Sequence, residues 1–82
     1  MIASVLDQVR RIAADIFDMP LERVTAESSP DTVETWDSLQ HLNLVVALEQ
    51  NFQLAFAPEE IEEMLTIKSV VTLINEKLKL TS

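Results

Sequence analysis

"TWDSLQHLNLVVALEQNF", Thr35 to Phe52, opens on polar and acidic residues, passes through Asp37 and Ser38, and then runs into a segment that is apolar on most of its sides. Leu39, Leu42, Leu44, Val45, Val46, Ala47, Leu48 and Phe52 surround that segment, while Gln40, His41, Asn43, Gln50 and Asn51 form a narrower polar strip. The spacing predicts a helix from about Ser38 to Asn51. An apolar circumference this wide needs several packing partners, which makes it the expected central helix of a bundle with its polar strip facing outside. Serine and aspartate are both favoured N-caps, so Asp37 and Ser38 compete for that position. If Asp37 takes it, Ser38 falls in the first turn with its hydroxyl pointing outward. A phosphate ester there would lie against exposed amides and the positive end of the helix dipole.

Working outward, Ile2, Val5, Leu6, Val9, Ile12, Ala13, Ile16 and Phe17 repeat at three-and-four spacing and predict a first helix that stops before Pro20. "PLERV" suits one further turn with proline at its first position, pinned by Leu21 and Val24. The thirteen residues "TAESSPDTVETWD", Thr25 to Asp37, read as a long loop tacked down by Val33 and Trp36, the latter as an apolar plug. Beyond the central segment, Pro58, Glu59 and Glu60 mark the start of a short third helix with a single apolar edge of Ile61, Met64 and Leu65, expected to be the least stable element. Thr66 is the expected cap of a fourth helix carrying Ile67, Val70, Val71, Ile74 and Leu78, with Lys77 and Lys79 near its carboxyl end. Phe52, Leu54, Phe56, Ile61, Leu65 and Ile67 read as core. The expected fold is all-α: a four-helix bundle with a long loop between helices 1 and 2 and a short third helix, in one domain spanning residues 1–82.

Composition bounds the function. Eighty-two residues bury only about 60 to 65% of the surface of the unfolded chain, which leaves little room for a deep active site. Fourteen acids against six bases give a net charge of −8, and from Val24 to Ile67 there are nine acids and no lysine or arginine. Such a field repels nucleic-acid backbones and anionic membrane surfaces and attracts proteins with basic docking patches. Charged residues interrupt the apolar pattern of the first seventeen positions, so they read as neither signal peptide nor membrane span, and the protein is expected to be cytoplasmic.

Much chemistry is excluded by residues that are missing. There is no cysteine, one histidine, and nothing in "DTVETWDSLQHL" that matches a calcium loop, so a metal site is not expected. The chain has no glycine, which removes the common glycine-rich phosphate loops. Asp37, Ser38 and His41 evoke a serine hydrolase, but three groups within one and a half turns do not make an oriented base beside an oxyanion hole. His41 reads as a solvated helix-surface histidine.

Asp37-Ser38-Leu39 at the start of an apolar second helix, the long loop before it and "ALEQNFQLAFAPEEIEEMLTIKSVVTLI" after it resemble the acyl carrier protein family over nearly the whole chain. The three-residue motif alone is weak, and its placement, Pro58 at the acidic third helix and Thr66-Ile67 at the fourth make the resemblance specific. It implies a monomeric carrier that catalyses nothing itself. Ser38 would be esterified with the 4'-phosphopantetheine arm of coenzyme A by a phosphopantetheinyl transferase, with Asp37 as the adjacent acid that the transferase and its metal engage. The arm's thiol would hold an acyl or related cargo as a thioester and present it to loading, condensing or acyl-transfer enzymes with basic or apolar docking patches. The implied partner surface is Leu39, Gln40, His41, Leu42, Asn43 and Val46.

Two departures narrow that expectation. Housekeeping fatty-acid carriers usually place an acid directly after the leucine and another three residues later, where this chain has Gln40 and Asn43. The glycine frequent in the family after the second helix is replaced within "EQNFQLAF". These differences favour a carrier dedicated to a specialised biosynthetic pathway. The competing expectation is an acidic helical interaction module that is never covalently modified.

Overall fold

Ser4 accepts the Asp7 amide at 3.1 Å and so starts α1, Val5–Phe17. The computed structural model describes residues 4–81, with side chains as far as Lys79; Ile2, expected on the first apolar face, lies outside them. The remaining elements are a 3-10 turn at Leu21–Arg23, α2 at Ser38–Phe52, α3 at Pro58–Glu63 and α4 at Ile67–Thr81, with no strand among the described residues. The expected four helices are all present. "PLERV" does form its extra turn, with Pro20 just before it rather than at its first position; Val24 is buried as expected but Leu21 is exposed, and Arg10 of α1 holds the turn by donating from Nε to the Val24 carbonyl at 2.6 Å and from Nη2 to the Leu21 carbonyl at 3.0 Å.

One expectation about packing is corrected. α2 is not the central helix: α1 is, packing along both α2 and α4. The reason lies in α2's outer surface, where Leu39, Leu42 and Val46 remain in solvent and only Leu44, Val45 and Leu48 are buried. The core is built from Val9, Ala13 and Phe17 of α1, those three residues of α2, and Met64, Ile67, Val70 and Ile74 at the other side.

The loop from Thr25 to Asp37 is folded rather than loose. Thr25 and Ser28 close one turn, with Thr25 N–H donating to Ser28 Oγ and Ser28 N–H to Thr25 O. The Ser28 and Ala26 carbonyls then accept the Ile67 and Lys68 amides at 3.1 and 2.8 Å, so the loop satisfies the first turn of α4 where no intrahelical acceptor exists. Thr66 also caps α4 as expected, accepting the Ser69 amide on its hydroxyl at 3.0 Å. At the loop's far end, Val33 and Trp36 are buried, and Thr35 Oγ1 donates to the last carbonyl of α1, that of Phe17, at 2.8 Å.

Helix ends explain two further features. With no glycine available, Asp18 after α1 and Gln53 after α2 adopt the left-handed conformation, at φ 53° and 55°. The N-cap of α3, Ala57, has no capping side chain; instead Glu60 reaches back and accepts the Ala57 amide at 2.7 Å. That hydrogen bond, aided by Lys77 of α4 at 2.8 Å, holds the Glu60 carboxyl below the usual carboxylate range. Leu65 is the second correction. It was expected in the core with Met64, but α3 ends at Glu63, and of the two neighbours that follow only Met64 turns inward while Leu65 is 62% exposed.

Candidate functional site

The competition between Asp37 and Ser38 is decided by backbone geometry. Asp37 is extended, at φ −98° and ψ −176°, its Oδ1 accepts the Gln40 amide at 2.9 Å, and its carbonyl accepts the His41 amide at 2.8 Å. Ser38 is therefore the first helical residue. It is exposed, and its hydroxyl makes no hydrogen bond among the described residues. The amides of Ser38 and Leu39 precede the first intrahelical hydrogen bond, so they remain available to an anion.

A groove of about 590 Å³ opens beside that hydroxyl. Trp36, Asp37, Ser38, His41 and Leu42 line one side of it, Ile61, Met64 and Leu65 the other, with Pro30 and Glu62 at its margins. Its lining is mostly apolar side chain. Leu65, missed as a surface residue, belongs to this site because its exposure places it on the groove. The only sequence signal was that Met64 and Leu65 are adjacent between two helices and cannot both face the core.

Trp36 is the expected plug, only 3% exposed and stacked on Phe17 with ring centroids 4.9 Å apart. His41 departs from its expected role. It is half-buried, Trp36 Nε1 donates to its Nδ1 at 2.9 Å, and its Nε2 lies 2.9 Å from the Ile61 carbonyl. A solvated ring on the polar strip is thus corrected to a ring that joins the loop, α2 and α3. Both ring nitrogens are engaged away from Ser38, which leaves no base for a serine nucleophile and removes the hydrolase reading.

The outer surface of α2 carries the remaining residues singled out from the sequence. Leu39, Leu42 and Val46 are 68, 54 and 51% exposed and continue the apolar surface of the groove along the helix. Gln40 and Asn43 do not present charge: Asn43 Nδ2 donates to Gln40 Oε1 at 2.8 Å. Among the described residues no cluster of histidine and carboxylate side chains could hold a metal ion, and no helix is long and apolar enough to cross a membrane. The site fits a phosphodiester that carries an extended arm: an accessible hydroxyl, two available amides and an adjoining groove.

Comparison with known proteins agrees with this geometry. Residues 7–74 match the family described as "Phosphopantetheine attachment site". The chain is 33% identical to an acyl carrier protein of Thermosynechococcus vestitus over 93% of its own length and 94% of that protein's. It is 35% identical to acyl carrier protein 3 of Ralstonia nicotianae, over 92% and 86%. In three dimensions it is similar to the solution structure of a holo acyl carrier protein from Geobacter metallireducens, with a TM-score of 0.83, 31% identity, and coverage of 94% of this chain and 88% of that one.

Proposed function

This chain belongs to the acyl carrier protein family, and from that premise we propose that Ser38 is its attachment residue and that it serves a specialised biosynthetic pathway. It is a carrier and not an enzyme, and its cofactor is covalently bound 4'-phosphopantetheine. When bound, the arm supplies a terminal thiol for thioester chemistry that the cysteine-free chain lacks.

The observation that carries the assignment is the division of labour at the start of α2. Asp37 caps the helix, so the Ser38 hydroxyl is spared that role and stands exposed beside the groove. On transfer, Ser38 Oγ would lose its proton to a base of the transferase and bond to the phosphorus next to the pantetheine arm, the pyrophosphate link of coenzyme A breaking with 3',5'-adenosine diphosphate as the leaving group. The amides of Ser38 and Leu39 and the helix dipole favour the resulting phosphodiester anion. Asp37, with its carboxylate at the surface, is the acid that the transferase and its metal engage.

The specialised pathway rests on the neutral Gln40–Asn43 pair, which replaces two carboxylates on the docking face. Partners then meet Leu39, Gln40, His41, Leu42, Asn43 and Val46 chiefly through apolar and hydrogen-bonding contact. The protein works as a cytoplasmic monomer. Intact-mass measurement after incubation with coenzyme A and a phosphopantetheinyl transferase of broad specificity tests the reading. The wild type gains one phosphopantetheine and Ser38→Ala gains none; an unmodified wild type overturns it in favour of an interaction module.

A further inference from the structure

The three-way contact at His41 fixes more than a ring position. An indole N–H only donates, so His41 Nδ1 must accept from Trp36; a carbonyl only accepts, so Nε2 must carry the proton shared with Ile61. The two bonds together fix the Nε2–H tautomer of the neutral ring. Its two bonds reach different elements: Trp36 lies in the loop before α2, five residues away, and Ile61 in α3, twenty away. The indole and imidazole planes also lie 21° apart with centroids separated by 6.1 Å. All three residues line the groove beside Ser38.

We infer that His41 is a positioning residue, a latch that in its neutral Nε2–H form ties the serine-bearing end of α2 to the Trp36 loop and to α3, fixes the wall of the groove beside Ser38, and lets go of the Trp36 loop when Nδ1 is protonated. Protonation turns an acceptor into a donor facing the indole N–H, and the contact cannot survive. The charged groups lining the groove with His41 are Asp37, at the start of its own helix, and Glu62, on α3; the preceding loop contributes uncharged Pro30 and Trp36, and the segment after α3 contributes Met64 and Leu65. The Nε2–H donor to the Ile61 carbonyl persists in the imidazolium, so protonation loosens the Trp36 side of the wall and leaves α3, a six-residue helix also tied to α4 through Glu60 and Lys77, in place. The consequence for cargo rests on the assignment of the arm to Ser38; the latch itself does not.

One tryptophan and one histidine make the test direct. Long-range proton–nitrogen spectra of the unmodified protein should show the His41 ring as the Nε2–H tautomer at pH 8; an Nδ1–H or averaged ring overturns the latch. On acidification, the Trp36 indole resonance and fluorescence should change with the same midpoint as the His41 ring. Independent midpoints overturn the release. His41→Gln supplies an acceptor and a donor at similar separation, and should keep amide protection in α3 while losing the pH response; His41→Phe should lower that protection several-fold. If His41→Phe does not fold, the wild-type spectra and the Gln variant still decide. On protein loaded at Ser38 with an acyl chain, methyl shifts at Leu42, Ile61 and Leu65 should differ between wild type and His41→Phe, and identical shifts overturn the role in shaping the groove. Failure to load at Ser38 tells against the attachment assignment and leaves the tautomer result standing.

Discussion

The Asp37 carboxylate accepts the Gln40 amide at 2.9 Å and so leaves its neighbour Ser38 as the first residue of α2, exposed and without a hydrogen-bonded hydroxyl. Capping and charge at Asp37 are separable. Asp37→Asn still caps, and loses only the attraction between carboxylate and helix dipole, about 0.3–1 kcal/mol. Asp37→Ala loses both, about 1–2 kcal/mol. Urea midpoints should rank the variants in that order. Modification at Ser38, followed by intact mass against time, should slow to a similar degree in both if the transferase engages the charge as proposed. If Asp37→Asn is modified at the wild-type rate, Asp37 acts through the helix alone.

Gln53 holds φ at 55° without being glycine. A side chain in the left-handed region costs about 1–2 kcal/mol, which glycine avoids, and glycine gives back part of this through its freer unfolded chain. Gln53→Gly should therefore stabilise by roughly 0.5–1 kcal/mol and raise Tm by about 2–8 °C in a domain of this size. Thermal melts followed by circular dichroism check the sign; a lower Tm would mean that the Gln53 side chain contributes more than its conformation costs.

Glu60 links α3 to its own start through Ala57 and to α4 through Lys77, with both charged side chains mostly shielded, at 24% and 21% exposed. Because its carboxyl is held below the usual range in the folded protein, it releases its proton more readily there than in the unfolded chain. Its contribution to stability is fully present above the ordinary glutamate value of about 4.3 and is lost as pH falls through the lower folded value. Wild type should thus exceed Glu60→Gln in urea midpoint at pH 7, and the gap should close as the pH falls below about 4. A gap that stays constant from pH 7 to 3 would show that the ionised form is not the stabilising one.

What was legible in the sequence was what repeats locally. The three-and-four spacing of apolar residues located α1, α2 and α4, Pro58 located α3, and Trp36 in a polar loop read correctly as a plug. Two good caps side by side could not be ranked without the backbone angles of Asp37. His41 was misread because helical spacing puts it on the polar strip with Gln40 and Asn43, whereas its position is set by Trp36 in another element and by the Ile61 carbonyl twenty residues on. No side-chain pattern reports where a backbone carbonyl will lie. α2 looked central because its apolar residues were counted as core, and the same surplus is explained by Leu39, Leu42 and Val46 lying at the surface. A helix with apolar residues on its exposed face looks from its composition like a buried one.

The proposed partner surface on α2 can be tested through its charge. The first turn of α2 contains no acid, and Gln40 and Asn43 satisfy one another. In Gln40→Asp/Asn43→Glu, two carboxylates would stand three residues apart on the helix. Their mutual repulsion costs about 0.2–0.5 kcal/mol and is offset by the favourable position of the first near the helix N-terminus, so the fold should survive. The surface would now attract a partner with a basic docking patch, and electrostatic attraction acts mainly on the rate of encounter. Loading of the phosphopantetheine-bearing double variant by a fatty-acid pathway enzyme with such a patch should rise about tenfold at low salt, and the gain should shrink as ionic strength approaches 0.5 M and the screening length falls below about 5 Å. Steady-state kcat/KM measured across that salt range decides the matter. An equal rate for wild type and variant at every salt concentration would show that Gln40 and Asn43 do not select partners, and would remove the observation on which the proposed specialised pathway rests.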